Sequence, residues 1–185
     1  MRWSFVAIGL LGCTAAQAQH VHGVVQLGVV VEGNVVAVSL EAPLSDVVGF
    51  EHAPKNDEQS AAVNRIAEIL ADADAMFGLP SGANCQASKA SLEGPEFITG
   101  EAKEGHDDEH GHGHDDDHGH GEEEHSEIHA NYEWQCGDAA AIDSMELHFA
   151  TEFADVQSIE VQVISAAGAK VTTLAPGTAS LSMAP

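Results

Sequence analysis

Histidine and carboxylate side chains are concentrated in one stretch of the chain. Residues 101–129 contain twelve Asp or Glu and eight His, interleaved with glycines and a single Lys. Imidazole nitrogens and carboxylate oxygens are ligands that divalent cations take in proteins. The candidate ligands are His106, His110, His112, His114, His118, His120, His125 and His129. This pattern predicts zinc binding, with nickel and copper(II) as ions that such a stretch would also bind in vitro.

The same stretch is too polar to form a core. Glycines and like charges oppose both helix and strand, so we expect residues 101–127 to form a long disordered His/Asp-rich loop. Zinc takes about four ligands, which leaves room for roughly two or three ions. Such sites would be exchangeable and poorly selective, because selectivity comes from rigid geometry. The alternative is an acidic linker in which the histidines are incidental.

Further candidate ligands lie outside this insert. In predicted strands, His22, His129 and His148 each alternate with apolar neighbours, so they would line one face and form a rigid site if their strands share a sheet. The alternative for each is a solvated or hydrogen-bonded histidine. Besides His129, the candidates outside residues 101–127 are His20, His22, His52, His148 and Glu51.

Two of these candidates lie in short local arrangements. Glu51 and His52 are adjacent in a predicted loop, where they would either ligate a metal together or only form hydrogen bonds. His20 would be the second residue after signal-peptide cleavage. A terminal amine beside an imidazole can chelate copper(II) or nickel(II), and a frayed strand end is the alternative.

The charge balance limits the partners. Of 185 residues, 6 are Lys or Arg and 30 are Asp or Glu, for a formal net charge of −24. Nucleic acid and anionic membrane surfaces are therefore excluded, and divalent cations are favoured. The chain has no Gly-x-Ser-x-Gly, P-loop or HExxH motif, so we predict no enzyme.

The first 18 residues predict a secretory signal peptide. A basic residue precedes an apolar run too short to span a bilayer, and Ala16-Gln17-Ala18 suits cleavage after Ala18. A lipoprotein anchored at Cys13 is the alternative. Since no other run is long enough to cross a membrane, the remaining chain should be a soluble periplasmic protein without membrane insertion.

Two cysteines remain after cleavage. Cys85 and Cys136 should form a disulfide in an oxidising compartment, enclosing the insert. Loop-closure entropy gives such a bridge roughly 4 kcal/mol. Two free thiols, or a zinc–thiolate site, are the alternatives.

Hydrophobic periodicity predicts an α+β fold for residues 19–185, with a mostly antiparallel sheet and one main helix. Residues 21–41 predict a hairpin with its turn at 32–34. Asn56 and Gln59 predict a helix start, and an apolar stripe continues to Phe77 before Gly78 and Pro80 end the helix. The remaining predicted strands are residues 84–97, 128–136, 145–150, 159–164 and 170–174, of which the first two pair antiparallel around the insert. Residues 38–40 and 147–149 align at an offset of 109, which suggests two related halves.

Three features together resemble a known family. They are His20-Val21-His22-Gly23 at the start, Gly49-Phe50-Glu51-His52-Ala53-Pro54 before the helix, and the Asp/His insert ahead of Tyr132 and Cys136. The chain resembles the ZrgA-like periplasmic zinc-uptake proteins over essentially its whole mature length. The resemblance implies a zinc-binding, uptake-assisting role and no catalytic activity. His22 and His52 lie in the matching motifs.

These observations favour a periplasmic zinc-binding protein that assists zinc acquisition. Its insert would collect or buffer zinc for a zinc importer component or an outer-membrane receptor. One alternative is a storage or detoxification protein for nickel, copper(II) or excess zinc. The other is an acidic protein-interaction module.

Overall fold

The computed structural model describes residues 21–100 and 126–184, which form two β-sheets and four short-to-medium α-helices. The strands are β1 (Val24–Glu32), β2 (Val35–Pro43), β3 (Phe77–Gly78), β4 (Cys85–Glu93), β5 (Glu127–Cys136), β6 (Ser144–Leu147), β7 (Ser158–Ser165), β8 (Gly168–Leu174) and β9 (Ser180–Ser182). The helices are α1 (Leu44–Val48), α2 (Asp57–Ala71), α3 (Ala73–Met76) and α4 (Glu96–Thr99). The predicted α+β class is confirmed.

The large sheet has the strand order β4-β5-β2-β1-β7-β8, and the small one has the order β3-β6-β9. Neighbouring strands are antiparallel except β1 and β7, which run parallel. The predicted hairpin is confirmed as β1 and β2, and its turn contains Gly33 with a φ of 58°. The prediction of a mostly antiparallel sheet is therefore confirmed. The one parallel pair could not be predicted, because the alternation of apolar residues does not depend on strand direction.

One face of the large sheet is buried and the other is open. Inward-facing residues such as Leu27, Leu40 and Tyr132 are fully buried, and they alternate with exposed or half-buried residues on the outer side. The buried face packs against α2 and the small sheet: the Tyr132 hydroxyl donates to the Leu70 carbonyl at 2.8 Å, and the Phe77 ring contacts the Tyr132 ring. Such one-sided burial is typical of antiparallel sheets.

Helix α2 starts as predicted but ends early. The Asn56 side chain accepts a hydrogen bond from the Gln59 N–H at 2.9 Å. The predicted end at Gly78 is wrong, because the helix stops at Ala71 and Asp72 caps a new turn by accepting from the N–H groups of Asp74 and Ala75. A short polar side chain with extended backbone favours this restart.

Strands β4 and β5 pair antiparallel as predicted, with Cys85 opposite Cys136 and a disulfide between them. Two strand boundaries differ from the prediction. Residues 96 and 97 lie in α4, since Pro95 interrupts the strand before them. Glu127, placed in the insert by the sequence, is the first residue of β5. Residues 101–125 lie outside the residues that the structure describes. The disorder predicted for them therefore stays a prediction.

The two segments aligned as a repeat occupy different positions. Residues 38–40 lie inside β2 of the large sheet. Residues 147–149 span the end of β6 in the small sheet and the start of a 3₁₀ turn. This arrangement does not show two related halves. The sequence match itself has a simpler cause, since the alternating apolar residues of any two buried strands can be aligned in this way.

Candidate metal centre

Histidines and carboxylates gather at one end of the large sheet. The disulfide closes the β4–β5 hairpin at one end, and the insert leaves and returns at the other. There the Leu44 N–H donates to the Ser126 carbonyl at 2.8 Å, which joins the start of α1 to the residue at which the chain returns. We call this region the insert end; it contains His22, Glu41, Glu51, Glu127 and His129.

Gly23 positions His22 at the insert end. Its φ of 84° lies in the left-handed region, and a Cβ atom there would meet the Gln157 side chain at 2.7 Å, so only glycine fits. Its carbonyl accepts from the N–H groups of Gln157 and Ser158, and its own N–H donates to Asp46 Oδ2 at 2.6 Å. These bonds fix the turn immediately before β1, so His22 lies in the turn and not in the predicted strand.

His22 and Glu51 meet across Ser45. His22 Nδ1 lies 3.0 Å from Ser45 Oγ and 3.5 Å from Glu51 Oε1, and the Ser45 hydroxyl donates to the same carboxylate oxygen at 3.1 Å. Two donors of one tetrahedral zinc ion are separated by about 3.3–3.5 Å, given bonds of about 2.0–2.2 Å. The His22–Glu51 pair therefore has the spacing of two ligands of one ion.

Asp46 lies beside this pair and is 2% exposed. Burial raises the pKa of its carboxyl group, and the negative charges of Asp155 and Glu51 act in the same direction. The hydrogen bond from Gly23 and the positive charge of protonated His22 oppose the shift without cancelling it. Asp46 thus anchors the turn that positions His22.

His52 contacts different residues from Glu51, its neighbour. Its ring stacks on Phe50 with centroids 5.1 Å apart, and Nδ1 lies 2.9 Å from the Ala53 carbonyl oxygen. A ring that donates its Nδ1–H to a carbonyl carries its lone pair on Nε2, which is the usual tautomer of a metal ligand. The structure therefore separates Glu51, in contact with His22, from His52.

His129 lies between two carboxylates on the open face. Its Nδ1 is 3.8 Å from Glu41 Oε1, and its Nε2 is 3.5 Å from Glu127 Oε2. Glu41 is directly opposite His129 in the β2–β5 register, and Glu93 is opposite it in the β4–β5 register. Three strands thus place acidic residues around this imidazole.

His22, His129 and His148 could form one site only if their strands shared a sheet, and this condition is not met. His148 follows β6 in the small sheet, where its Nε2 lies 3.1 Å from Glu146 Oε2, whereas His129 is in the large sheet. The predicted strand through residues 145–150 ends at Leu147, and a 3₁₀ turn follows. Alternation within each strand gave no information on which sheet the strand would join.

Among residues 21–100 and 126–184, no three His, Cys, Asp or Glu side chains are arranged to hold one metal ion. The described part instead provides histidine–carboxylate pairs, each able to supply two ligands. His20 and the seven candidate histidines of the insert lie outside the described residues: His106, His110, His112, His114, His118, His120 and His125. For every histidine in the chain, metal ligation stays a prediction.

Sequence reasoning missed the carboxylates that accompany these histidines. Glu41 and Glu146 lie in strands whose pairing or turn brings them to His129 and His148. The spacing Glu127-x-His129 was visible and would have been informative, because alternate residues of a strand share a face. The Glu41–His129 contact had no local signal, since 88 positions separate the two residues.

Comparison with known proteins identifies the class as zinc uptake proteins, in agreement with the histidine–carboxylate pairs at the insert end. The model of the ZrgA family zinc uptake proteins matches residues 19–183, nearly the whole chain. The chain belongs to this family, as its motifs suggested. The comparison with curated proteins finds no match. Across the described part of the chain, the search for a helix able to span a membrane finds none.

Proposed function

We propose that this protein binds zinc in the bacterial periplasm and assists its acquisition, with the His/Asp-rich insert collecting the ion. Membership of a zinc uptake family supports zinc as the cargo. The family match begins at residue 19, directly after the predicted cleavage site, which supports export. The Cys85–Cys136 disulfide supports an oxidising compartment such as the periplasm.

One observation carries the role of the insert. The chain leaves and re-enters the large sheet at the end where His22–Glu51 and His129–Glu127 lie, and the disulfide braces the opposite end of the same hairpin. Zinc gathered by residues 101–125 therefore arrives beside structured histidine–carboxylate pairs. The strong negative charge of the insert raises the local concentration of divalent cations. The His22–Glu51 and His129–Glu127 pairs at the insert end then provide the next ligands.

The proposal includes no catalytic step. Ser45 lies between His22 and Glu51 and donates its hydroxyl proton to the carboxylate. In a catalytic triad the histidine occupies the middle position and accepts the serine proton. In the order found here the imidazole does not accept the serine proton, so Ser45 is not an activated nucleophile.

The collecting role is tested by zinc titration with calorimetry and native mass spectrometry. The test variant is the full-length mature chain with the seven histidines of residues 101–125 changed to Asn. A matched control keeps the composition of residues 101–125 and scrambles their order. We expect the Asn variant to lose about two bound ions and the scrambled control to lose none, because collection depends on composition. Equal zinc stoichiometry in wild type and the Asn variant would contradict the proposal.

Growth experiments separate uptake from storage. A strain that carries only the Asn variant should grow more slowly than wild type under zinc limitation and equally well when zinc is added. A storage or detoxification protein would show the opposite pattern, with sensitivity to excess metal and no defect under limitation.

A further inference from the structure

Both ring nitrogens of His129 face carboxylates. Glu41 lies on the Nδ1 side at 3.8 Å, and Glu127 lies on the Nε2 side at 3.5 Å. The three side chains come from two adjacent strands, so their separation is fixed by backbone pairing. His129 is 40% exposed and Glu127 is 15% exposed, which leaves the imidazole open to solvent and holds the carboxylate in place.

The two contacts correspond to the two partners of a metal-bound histidine: the metal site on one ring nitrogen and a hydrogen-bond acceptor on the other. A metal-ligating imidazole almost always donates its other N–H to a carboxylate or carbonyl, and that second bond fixes the tautomer. The distance from Nε2 to Glu127 Oε2 agrees with the spacing of about 3.3–3.5 Å between two ligands of tetrahedral zinc. Glu41 Oε1, at 3.8 Å from Nδ1, is the carboxylate oxygen on the side of the ring where that second bond would form.

We propose that Glu127 and His129 form an open zinc site at the root of the insert, with Glu41 as the residue that positions the imidazole. Glu127 Oε2 and His129 Nε2 ligate the ion, and the Nδ1–H of His129 donates to Glu41. This inference rests on the proposed function, because it concerns the step after collection. Two protein ligands leave two coordination positions for water, so the ion can enter from the insert side and leave again.

Neighbouring charges favour a cation at this position. Glu93 lies opposite His129 on β4 and adds a third carboxylate beside Glu41 and Glu127. Lys89 on β4 is opposite Glu133 and lies two rows away from His129 on the same face. The field at His129 is therefore dominated by carboxylates, which attract a divalent cation and favour its bound state.

The test uses Zn²⁺ and the full-length chain whose seven insert histidines are Asn. In this background, ¹⁵N spectra of the imidazoles report which nitrogen carries a proton and which binds zinc, and the His129 signals are those lost in His129→Asn. We expect Zn²⁺ to shift the Nε2 signal and leave a protonated Nδ1. Glu127→Gln should weaken zinc binding at least tenfold. Glu160→Gln removes the same charge from a distant strand and should change affinity by less than twofold.

Glu41→Gln tests the positioning role separately. Loss of such an outer carboxylate typically costs 10–100-fold in metal affinity, and here it should also shift the metal-free tautomer population of His129. A purely electrostatic role would leave the tautomer population unchanged and would overturn the assignment of Glu41.

The site itself is overturned if Zn²⁺ leaves the His129 signals unchanged, or if His129→Asn and Glu127→Gln bind zinc as the background does. Circular dichroism of each variant confirms that the fold is intact. Failure of the collecting role gives a different result, namely equal zinc stoichiometry with and without the insert histidines. The experiments can therefore reject the Glu127–His129 site without rejecting the collecting role of the insert, and the reverse.

Discussion

At the scale of single residues, the insert end is organised around a glycine and a buried carboxylate. Gly23 adopts a backbone conformation that other residues rarely take, and Asp46 accepts its N–H. Both lie directly beside a candidate ligand, His22. The geometry of the ligand pair thus depends on residues that do not themselves face the metal.

The raised pKa of the Asp46 carboxyl group gives a prediction on stability. A folded-state pKa above the ordinary value of 3.8 means that the folded protein binds a proton more tightly than the unfolded chain. Ionised Asp46 therefore lowers the free energy of unfolding at neutral pH, and this cost disappears as the pH falls through the raised pKa toward 3.8. In Asp46→Asn, Oδ1 still accepts from Gly23, but the ionisation is absent.

We accordingly expect the free energy of unfolding of Asp46→Asn relative to wild type to be largest and constant above the raised pKa of Asp46, and to decrease as the pH falls from that pKa toward 3.8. Urea unfolding at several pH values measures the difference in free energy of unfolding. Glu68→Gln, an exposed change on α2, is the matched control and should give a flat difference. A flat difference for Asp46→Asn as well would show that the carboxyl group titrates normally.

A second residue-scale prediction concerns Tyr132. Its hydroxyl donates to the Leu70 carbonyl near the end of α2, in a buried position. Tyr132→Phe leaves that carbonyl without this donor, and we expect a loss of about 1–3 kcal/mol in the free energy of unfolding. Thermal or urea unfolding measures it, and a loss below about 0.5 kcal/mol would mean that water replaces the hydroxyl.

The alkaline limb of the stability profile checks the same contact. Burial raises the pKa of Tyr132 above its ordinary value of 10.0, so the folded protein holds the phenol proton more tightly. Wild type should therefore lose stability more steeply than Tyr132→Phe as the pH rises above 10. Parallel profiles would exclude an effect of burial on this group.

At the scale of elements, β4 depends on the disulfide. Within the described part of the chain, β4 is an edge strand of the large sheet that pairs with β5 alone, and it is mostly exposed along its length. The Cys85–Cys136 bridge spans 51 positions of sequence and holds the end of this hairpin opposite the insert. Covalent closure thus compensates for the small apolar surface that β4 buries.

Removal of the bridge should therefore destabilise the protein. For Cys85→Ser with Cys136→Ser, loop-closure entropy predicts a loss of about 4 kcal/mol in the free energy of unfolding. Hydrogen exchange should locate the effect, with the largest loss of protection in the amides of β4 and the smallest in β1 and β7. Uniform loss of protection across the large sheet would contradict a local role for the bridge.

At the scale of the whole molecule, the separation of sheet and insert predicts how zinc binding depends on pH. Protons compete with zinc for imidazole, whose ordinary pKa is about 6.5. Below that pH we expect zinc affinity to fall by about tenfold per pH unit for each histidine ligand. Calorimetric titrations between pH 5 and 8 measure this slope.

Calcium provides the matched comparison for this experiment. Carboxylates bind Ca²⁺ through oxygen alone, and their ordinary pKa values near 4 leave them ionised throughout this range. Any Ca²⁺ binding by the acidic residues should therefore change little between pH 5.5 and 8. A zinc affinity that is equally independent of pH would contradict ligation by histidine.

Local sequence was sufficient to predict many of the elements. The Asn56 cap, the hairpin turn at Gly33 and the inward alternation of β5 all depend on residues close together in the chain, so their periodicity and capping can be read directly. The Cys85–Cys136 bond was also predictable, since only two cysteines follow the predicted signal peptide. The metal-binding class followed from composition, because an excess of His, Asp and Glu has few other chemical uses.

The placement of the candidate ligands was decided by tertiary structure alone. The β2–β5 pairing brings Glu41 opposite His129, the β1–β7 pairing places Gln157 against Gly23, and the small sheet takes His148 away from the other two histidines. These contacts join residues that are distant in sequence. Alternation shows which side of a strand is buried, but strand order depends on how all the apolar faces pack together, and that is a property of the whole chain.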